Sequence, residues 1–146
     1  MESAAQRALP VVVQVGRTVD VLSDRSSQPD AFLGLARAFP KTSFIAGHSG
    51  FELWKSFTVN QNVPRNVYFD VSSWQEAAAR DADGTRADLA TLLKKSPRRV
   101  CYGTDSPFYS YNLMVSESNW LRFVSDAADP ETAAIMLCNP IFSAVF

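Results

Sequence analysis

The chain has 146 residues, with 14 Lys and Arg set against 15 Asp and Glu for a net charge of −1. That balance leaves no basic stripe for nucleic acid, and an apolar fraction of 47% argues against disorder. No apolar run approaches the ~18 residues of a membrane span, and Glu2 and Arg7 stand where a secretory leader would be apolar, so the cytoplasm is the expected compartment.

Two cysteines, Cys101 and Cys138, are too few for a disulfide framework. Cys101 lies in a predicted buried strand, where a free thiol acts as a small hydrophobe, and a reducing compartment is the simpler reading. A single domain of this length buries roughly two-thirds of the surface that its unfolded chain exposes. No linker, low-complexity tract or charge block divides it.

The chain reads as four repeats of strand then helix. Ala4 to Ala8 has the character of a helix end. The first strand is Leu9 to Val15, a continuous β-branched run of the kind covered on both faces. A polar loop, Gly16 to Ser27, follows. Pro29 fits the first turn of a helix ending near Phe39. Phe32, Leu35, Ala36 and Phe39 form its apolar stripe, and Pro40 stops it. Ser43 to Gly47 is the second strand, and Phe51 to Gln61 a helix.

The third strand is Asn66 to Ser72. Its companion segment holds Trp74 to Asp81, a turn at Asp83-Gly84, and a helix from Arg86 to Lys95 with Leu89, Leu92 and Leu93 as core stripe. Arg99 to Gly103 is the fourth strand. A loop rich in Tyr, Ser and Asn precedes helices near Ser118 to Ala127 and Glu131 to Leu137. Pro130 and Glu131 suit a helix start. Asn139 to Phe146 reads as a short docking helix. The fold class is therefore α/β, with a parallel sheet and right-handed crossovers. Two architectures compete: an open doubly wound sheet, and half of a TIM (β/α)8 barrel. Neither a Gly-rich dinucleotide fingerprint nor a Walker motif is present.

Two residues at strand ends carry chemistry. His48, the chain's only histidine, follows Ser43-Phe44-Ile45-Ala46-Gly47, and Asp105 follows Arg99-Val100-Cys101-Tyr102-Gly103-Thr104. Ligand-type residues at such ends are where α/β barrels keep their active sites. Each also has a structural reading: His48 as a hydrogen-bonded residue, and Asp105 as the organiser of a turn before Ser106-Pro107. Gln14 reads as a polar residue of the barrel interior. Asp70 either faces the site or packs on a polar neighbour. Arg17 could hold a carboxylate through its guanidinium. Trp74, Phe108, Tyr109 and Tyr111 stand on predicted loops at the same end and could line a pocket for an aromatic or small organic acid.

Five phrases, in order, resemble the C-terminal half of an amidohydrolase-related barrel, the family of metal-dependent hydrolases and decarboxylases also called amidohydrolase 2. Leu9 to Gly16 is similar to its fifth strand. Phe39-Pro40 with Ile45-Ala46-Gly47-His48-Ser49-Gly50 resembles its sixth. Asn66 to Ser72 resembles its seventh, and Arg99 to Phe108 its eighth. Asn139-Pro140 with Phe142 resembles the closing helix.

The resemblance implies that His48 is a metal ligand and that Asp105 both binds metal and handles a proton. It implies a divalent ion, zinc, in the complete barrel. The family's fifth-strand histidine falls at Gln14, a neutral amide better suited to a hard ion. Its first-strand His-x-His pair has no counterpart. A hydrolytic zinc usually takes three protein ligands and keeps a position for water. The expected partners are therefore a small-molecule substrate and either the missing barrel half or a second copy of the chain. An inactive relative and a self-contained open α/β ligand-binding module are the alternatives.

Overall fold

The computed structural model describes residues 2–16, 24–59, 62–105 and 117–138. Each strand is followed by one or two α-helices in chain order: α1 (Glu2–Gln6), β1 (Val11–Gln14), α2 (Pro29–Ala38), β2 (Phe44–Gly47), α3 (Trp54–Val59), β3 (Val67–Asp70), α4 (Trp74–Arg80), α5 (Ala82–Lys95), β4 (Val100–Cys101), α6 (Glu117–Ala127) and α7 (Pro130–Leu137). The fold is α/β, and each strand lies inside a run predicted for it. Among the described residues no helix is long and apolar enough to cross a membrane. The chain forms two compact units, one up to Asp70 and one from Val71.

In the first unit β1, β2 and β3 form a parallel sheet in chain order. Val11 pairs with Phe44 and Gln14 with Gly47. Phe44 pairs with Val67 and Ala46 with Phe69. Laterally paired residues share a face, and successive residues alternate. One face therefore carries Phe44, Ala46, Val67 and Phe69, all fully buried. Phe32 of α2 and Phe57 of α3 both pack on it. Phe32 meets Phe44 at 6.4 Å between centroids and Phe57 at 6.0 Å, and Phe57 meets Phe69 at 5.2 Å, all edge-on. Such edge-to-face pairs add about 0.5–1.5 kcal/mol each beyond area burial.

Both crossover helices thus lie on one side. Parallel strands in chain order with right-handed crossovers require this, whereas a doubly wound sheet needs a reversal of strand order. The opposite face carries Val12, Ile45 and Tyr68 in one row. Val12 is 63% exposed, against 1% for Ile45.

The buried stripe of α2 is Phe32, Leu33 and Ala36. Leu35 and Phe39 are only half-buried, so the helix is rotated from the predicted stripe. Asn66 closes its C-terminal end. The Asn66 amide donates to the carbonyls of Ala36 (3.0 Å), Phe39 (3.2 Å) and Thr42 (2.8 Å). These are carbonyls at and just beyond a helix end, where intrahelical partners run out. The first helix occupies Glu2–Gln6 instead of running to Ala8, where φ is +54°.

In the second unit α5 buries Thr85, Leu89 and Leu92. The sequence signal Asp83-Gly84 is not a turn between helices. Asp81 is the N-cap of α5, and its carboxylate accepts the Gly84 amide at 2.9 Å. Glycine at this position leaves room for the Asp81 carboxylate, which a Cβ would strike. The Val71 amide donates to the Cys101 carbonyl (3.1 Å), and the Tyr102 amide to Met136 (3.0 Å), which ties α7 to the end of β4. Cys101 is buried and Cys138 exposed. The docking helix expected at Asn139 to Phe146 lies outside the described residues.

The aromatic file sets one test. Phe57→Ala removes a ring that touches Phe32 and Phe69 and leaves a cavity. The expected cost is about 3–5 kcal/mol in urea unfolding; a change under about 1 kcal/mol would show that the file is not the core.

Asp129 sets a second. Its carboxylate caps α7 by accepting the Thr132 hydroxyl (2.6 Å) and amide (3.0 Å). The Thr132 hydroxyl is the main cause of its pKa lying below the usual 3.8. A lowered pKa means stability that is present above the unfolded value and lost as pH falls through the folded one. Thr132→Val is expected to raise the Asp129 pKa in a carboxylate NMR titration. An unmoved titration would show that the hydroxyl does not hold the cap.

Candidate functional site

The chain leaves β2, β3 and β4 through a costly backbone. His48, Ser49, Gly50 and Phe51 have φ of +56°, +51°, +81° and +50°. Past β3, Ser73 stands at +65°, and past β4, Asp105 at +55°. Non-glycine residues held at positive φ cost roughly 1 kcal/mol or more each and persist only where surroundings over-determine them.

In the first unit the surroundings are identifiable. The His48 amide donates to Asp70 Oδ2 at 3.2 Å, and Ser49 Oγ donates to the Asp70 carbonyl at 2.7 Å. The rings of His48 and Phe51 lie 4.5 Å apart, 32° from parallel. Gly16, with φ of +94°, presses its backbone on the same turn: a Cβ there would sit 2.5 Å from the Gly50 carbonyl oxygen. Ser27 fixes Gly16 by a reciprocal pair, its hydroxyl donating to the Gly16 carbonyl (2.6 Å) and its carbonyl accepting the Gly16 amide (2.8 Å). The helix predicted from Phe51 therefore starts only at Trp54; the left-handed turn uses up the residues before it.

Gln14, Gly47 and Asp70 follow in one row across the C-terminal ends of β1, β2 and β3, by the register of the sheet. The row lies on the face that carries Val12, away from α2 and α3. Gln14 is exposed, while His48 and Asp70 are half-buried. The structure thus brings Gln14, His48 and Asp70 to one end of one sheet.

In the second unit three consecutive residues after β4 are each held by a side chain. Trp120 Nε1 donates to the Gly103 carbonyl (2.9 Å), Gln75 Nε2 to the Thr104 carbonyl (2.6 Å), and Ser73 Oγ to Asp105 Oδ2 (2.7 Å). Asp105 is half-buried, and its carboxylate is oriented by the Ser73 hydroxyl. Sequence reasoning missed Ser73, Gln75 and Trp120. Trp74, expected on a loop, is instead the buried first residue of α4, 6% exposed. Arg17, Phe108, Tyr109 and Tyr111 lie outside the described residues.

Coordination can be tested on the donor set. Zinc sites of the hydrolytic kind draw on several imidazoles or thiolates, and this chain has one histidine. Asp70 already accepts the His48 amide. Among the described residues no three His, Cys, Asp or Glu side chains gather as an ion site. The described residues do not by themselves fit a complete transition-metal centre, so no chemical step is derived through one.

The contact between Gly16 and Gly50 generates a test. Gly16→Ala places a methyl against a carbonyl and adds strain at positive φ. A loss of about 2–4 kcal/mol is expected in denaturant unfolding. A neutral result would mean that the turn after β2 is not held where the structure places it.

A search of curated proteins returned no match. The profile of one protein family, described as amidohydrolase, matches residues 1–141, nearly the whole chain. That family is one of hydrolases, metal-dependent in general. This chain belongs to the amidohydrolase family.

Proposed function

We propose that the chain supplies the fifth to eighth strands of an amidohydrolase barrel, and that the barrel cleaves a small organic substrate, carboxylated or aromatic, by hydrolysis or decarboxylation. The reading rests on one observation: His48 and Asp105 both leave strand C-termini in left-handed conformations, each tied by a dedicated side chain, Asp70 or Ser73. Preorganised groups at the C-terminal ends of parallel strands are the usual setting of barrel chemistry.

Asp105 is the proposed proton acceptor. A carboxylate within reach of an attacking water takes its proton as the bond to substrate forms. The Ser73 hydroxyl fixes Oδ2 beforehand, so the acceptor does not reorient during the reaction. His48 is the proposed nitrogen donor to a divalent ion, zinc. Its turn is set by Asp70 behind it and Gly16 beside it. Gln14, Arg17 and Phe108 are the proposed substrate contacts; Trp74, buried at the start of α4, is not one of them.

The remaining ligands come from a complementing half, a partner chain or a second copy. Val12, on the same row as Ile45 and Tyr68, supports this reading. In a closed barrel such rows are covered by the facing strands, and here Val12 is 63% exposed. An exposed apolar strand is a template for association.

Two measurements test the proposal. In light scattering across a dilution series the purified chain is expected to self-associate, and metal analysis after dialysis to find well under one zinc per chain. A compact monomer at micromolar concentration, or near-stoichiometric zinc in the isolated chain, would overturn the half-barrel reading. In a complemented barrel Asp105→Asn is expected to remove most hydrolysis, about 100-fold or more, with the fold intact by circular dichroism. Unchanged turnover would remove Asp105 from its role.

A further inference from the structure

The second unit contains a groove of about 530 Å³ at the N-terminal end of β4. The end of α5 and the Pro97-Arg98 turn form one wall, and the stretch from Ala127 into α7 forms the other. Val100, the first residue of β4, borders it. Asp105 follows the opposite end of the same strand, so the groove is separate from the strand-end chemistry proposed above. Its volume falls within the range of small-molecule sites, roughly 300–1,000 Å³.

The groups that a ligand would meet are open to solvent. Leu93 and Ile135, one on each wall, are half-buried and offer apolar contact. Lys94 and Arg98 are exposed on the first wall, and Asp129 and Glu131 are exposed on the second. One wall is thus cationic and the other anionic. Each sign suits its own helix end: Lys94 stands in the last turn of α5 and Glu131 in the first turn of α7. Asp129 spends its carboxylate on the Thr132 hydroxyl and amide of its own helix, and each oxygen keeps a lone pair for a further donor.

The complement of such a groove is a molecule with an ammonium at one end, a carboxylate at the other and apolar groups between. A free α-amino acid carries both charges on one carbon. A dipeptide carries them at opposite ends. We propose that this groove binds a zwitterionic dipeptide with apolar side chains. Its carboxylate faces Lys94 and Arg98, its ammonium faces Asp129 and Glu131, and its side chains lie against Leu93 and Ile135. Met136, also on the groove, gives its carbonyl to the Tyr102 amide at 3.0 Å. Occupation of the groove therefore braces the helix that holds the end of β4.

The test titrates leucyl-leucine into the ¹⁵N-labelled full chain at low salt, following the amide resonances of Leu93, Glu131 and Ile135. Saturable shifts at all three are expected, with a Tm that rises with ligand concentration and an affinity that falls as salt is added. Two blocked analogues separate the charges: N-acetyl-leucyl-leucine lacks the ammonium, and leucyl-leucine amide lacks the carboxylate. Each is expected to bind about threefold or more weakly than the free dipeptide, and free leucine more weakly than the dipeptide as well. Glu131→Gln is expected to narrow the preference over the acetylated analogue, and Lys94→Gln the preference over the amide. No saturable shift, a blocked analogue or free leucine as tight as the dipeptide, or variants that leave both preferences unchanged would overturn the proposal. Should either variant fail to fold, the blocked analogues on the unaltered chain decide it.

Discussion

Lateral register in a parallel sheet decides which residues share a face, and most of the first unit follows from it. With Phe44 opposite Val67 and Ala46 opposite Phe69, the large apolar side chains line up on one side. That side draws in both crossover helices through Phe32 and Phe57. The alternate residues must then line the other side, and these are Val12, Ile45 and Tyr68, followed by Gln14, Gly47 and Asp70. A slip of one residue would exchange the two sets and bury Gln14 and Asp70 beneath phenylalanines. The packing energy of the helical side therefore also places the polar row at the strand ends.

The second constraint is the backbone after each strand. A left-handed residue at a strand exit re-aims the chain over the strand end instead of continuing outward. It is intrinsically unfavourable for His48, Ser49, Phe51, Ser73 and Asp105. What offsets it differs between the two units. After β2 the support is a carboxylate, a hydroxyl and a backbone contact between two glycines. After β4 it is one side chain for each of three successive residues. Both turns are stabilised by the chain's own groups.

The strands and long helices were legible in the sequence because their signals are local. Pro29 and Pro40 bracket α2, and continuous β-branched runs mark β1 and β3. The family phrases placed His48 and Asp105 at strand ends, where the structure has them. The supporting residues were not legible, because they act across the fold. Asn66 reaches back 24 to 30 residues to the end of α2, and Ser73 reaches forward 32 to Asp105. No periodicity encodes such contacts. The Asp83-Gly84 pair shows a different failure. Its composition fits a turn, yet the same glycine serves the N-cap of α5, since both geometries need a residue with no side chain beside an aspartate. The left-handed run from His48 to Phe51 was hidden for a related reason: only Gly50 announces it, and three residues without that freedom share it.

Separating scaffold from ligand set explains how family membership and a sparse donor set coexist in one chain. A metal ligand does two jobs, holding the ion and shaping the loop on which it stands. At Gln14 the side chain can differ without altering β1, because Val11 to Gln14 are held by pairing with β2. His48 and Asp105 are less easily exchanged. Each stands at positive φ within a network that includes a second side chain, Asp70 or Ser73, so a substitution there disturbs a turn as well as a donor. His48 and Asp105, the two strand-end residues proposed as donors, are thus the two that stand on a constrained backbone. The position with a neutral amide is the one where the backbone is an ordinary strand.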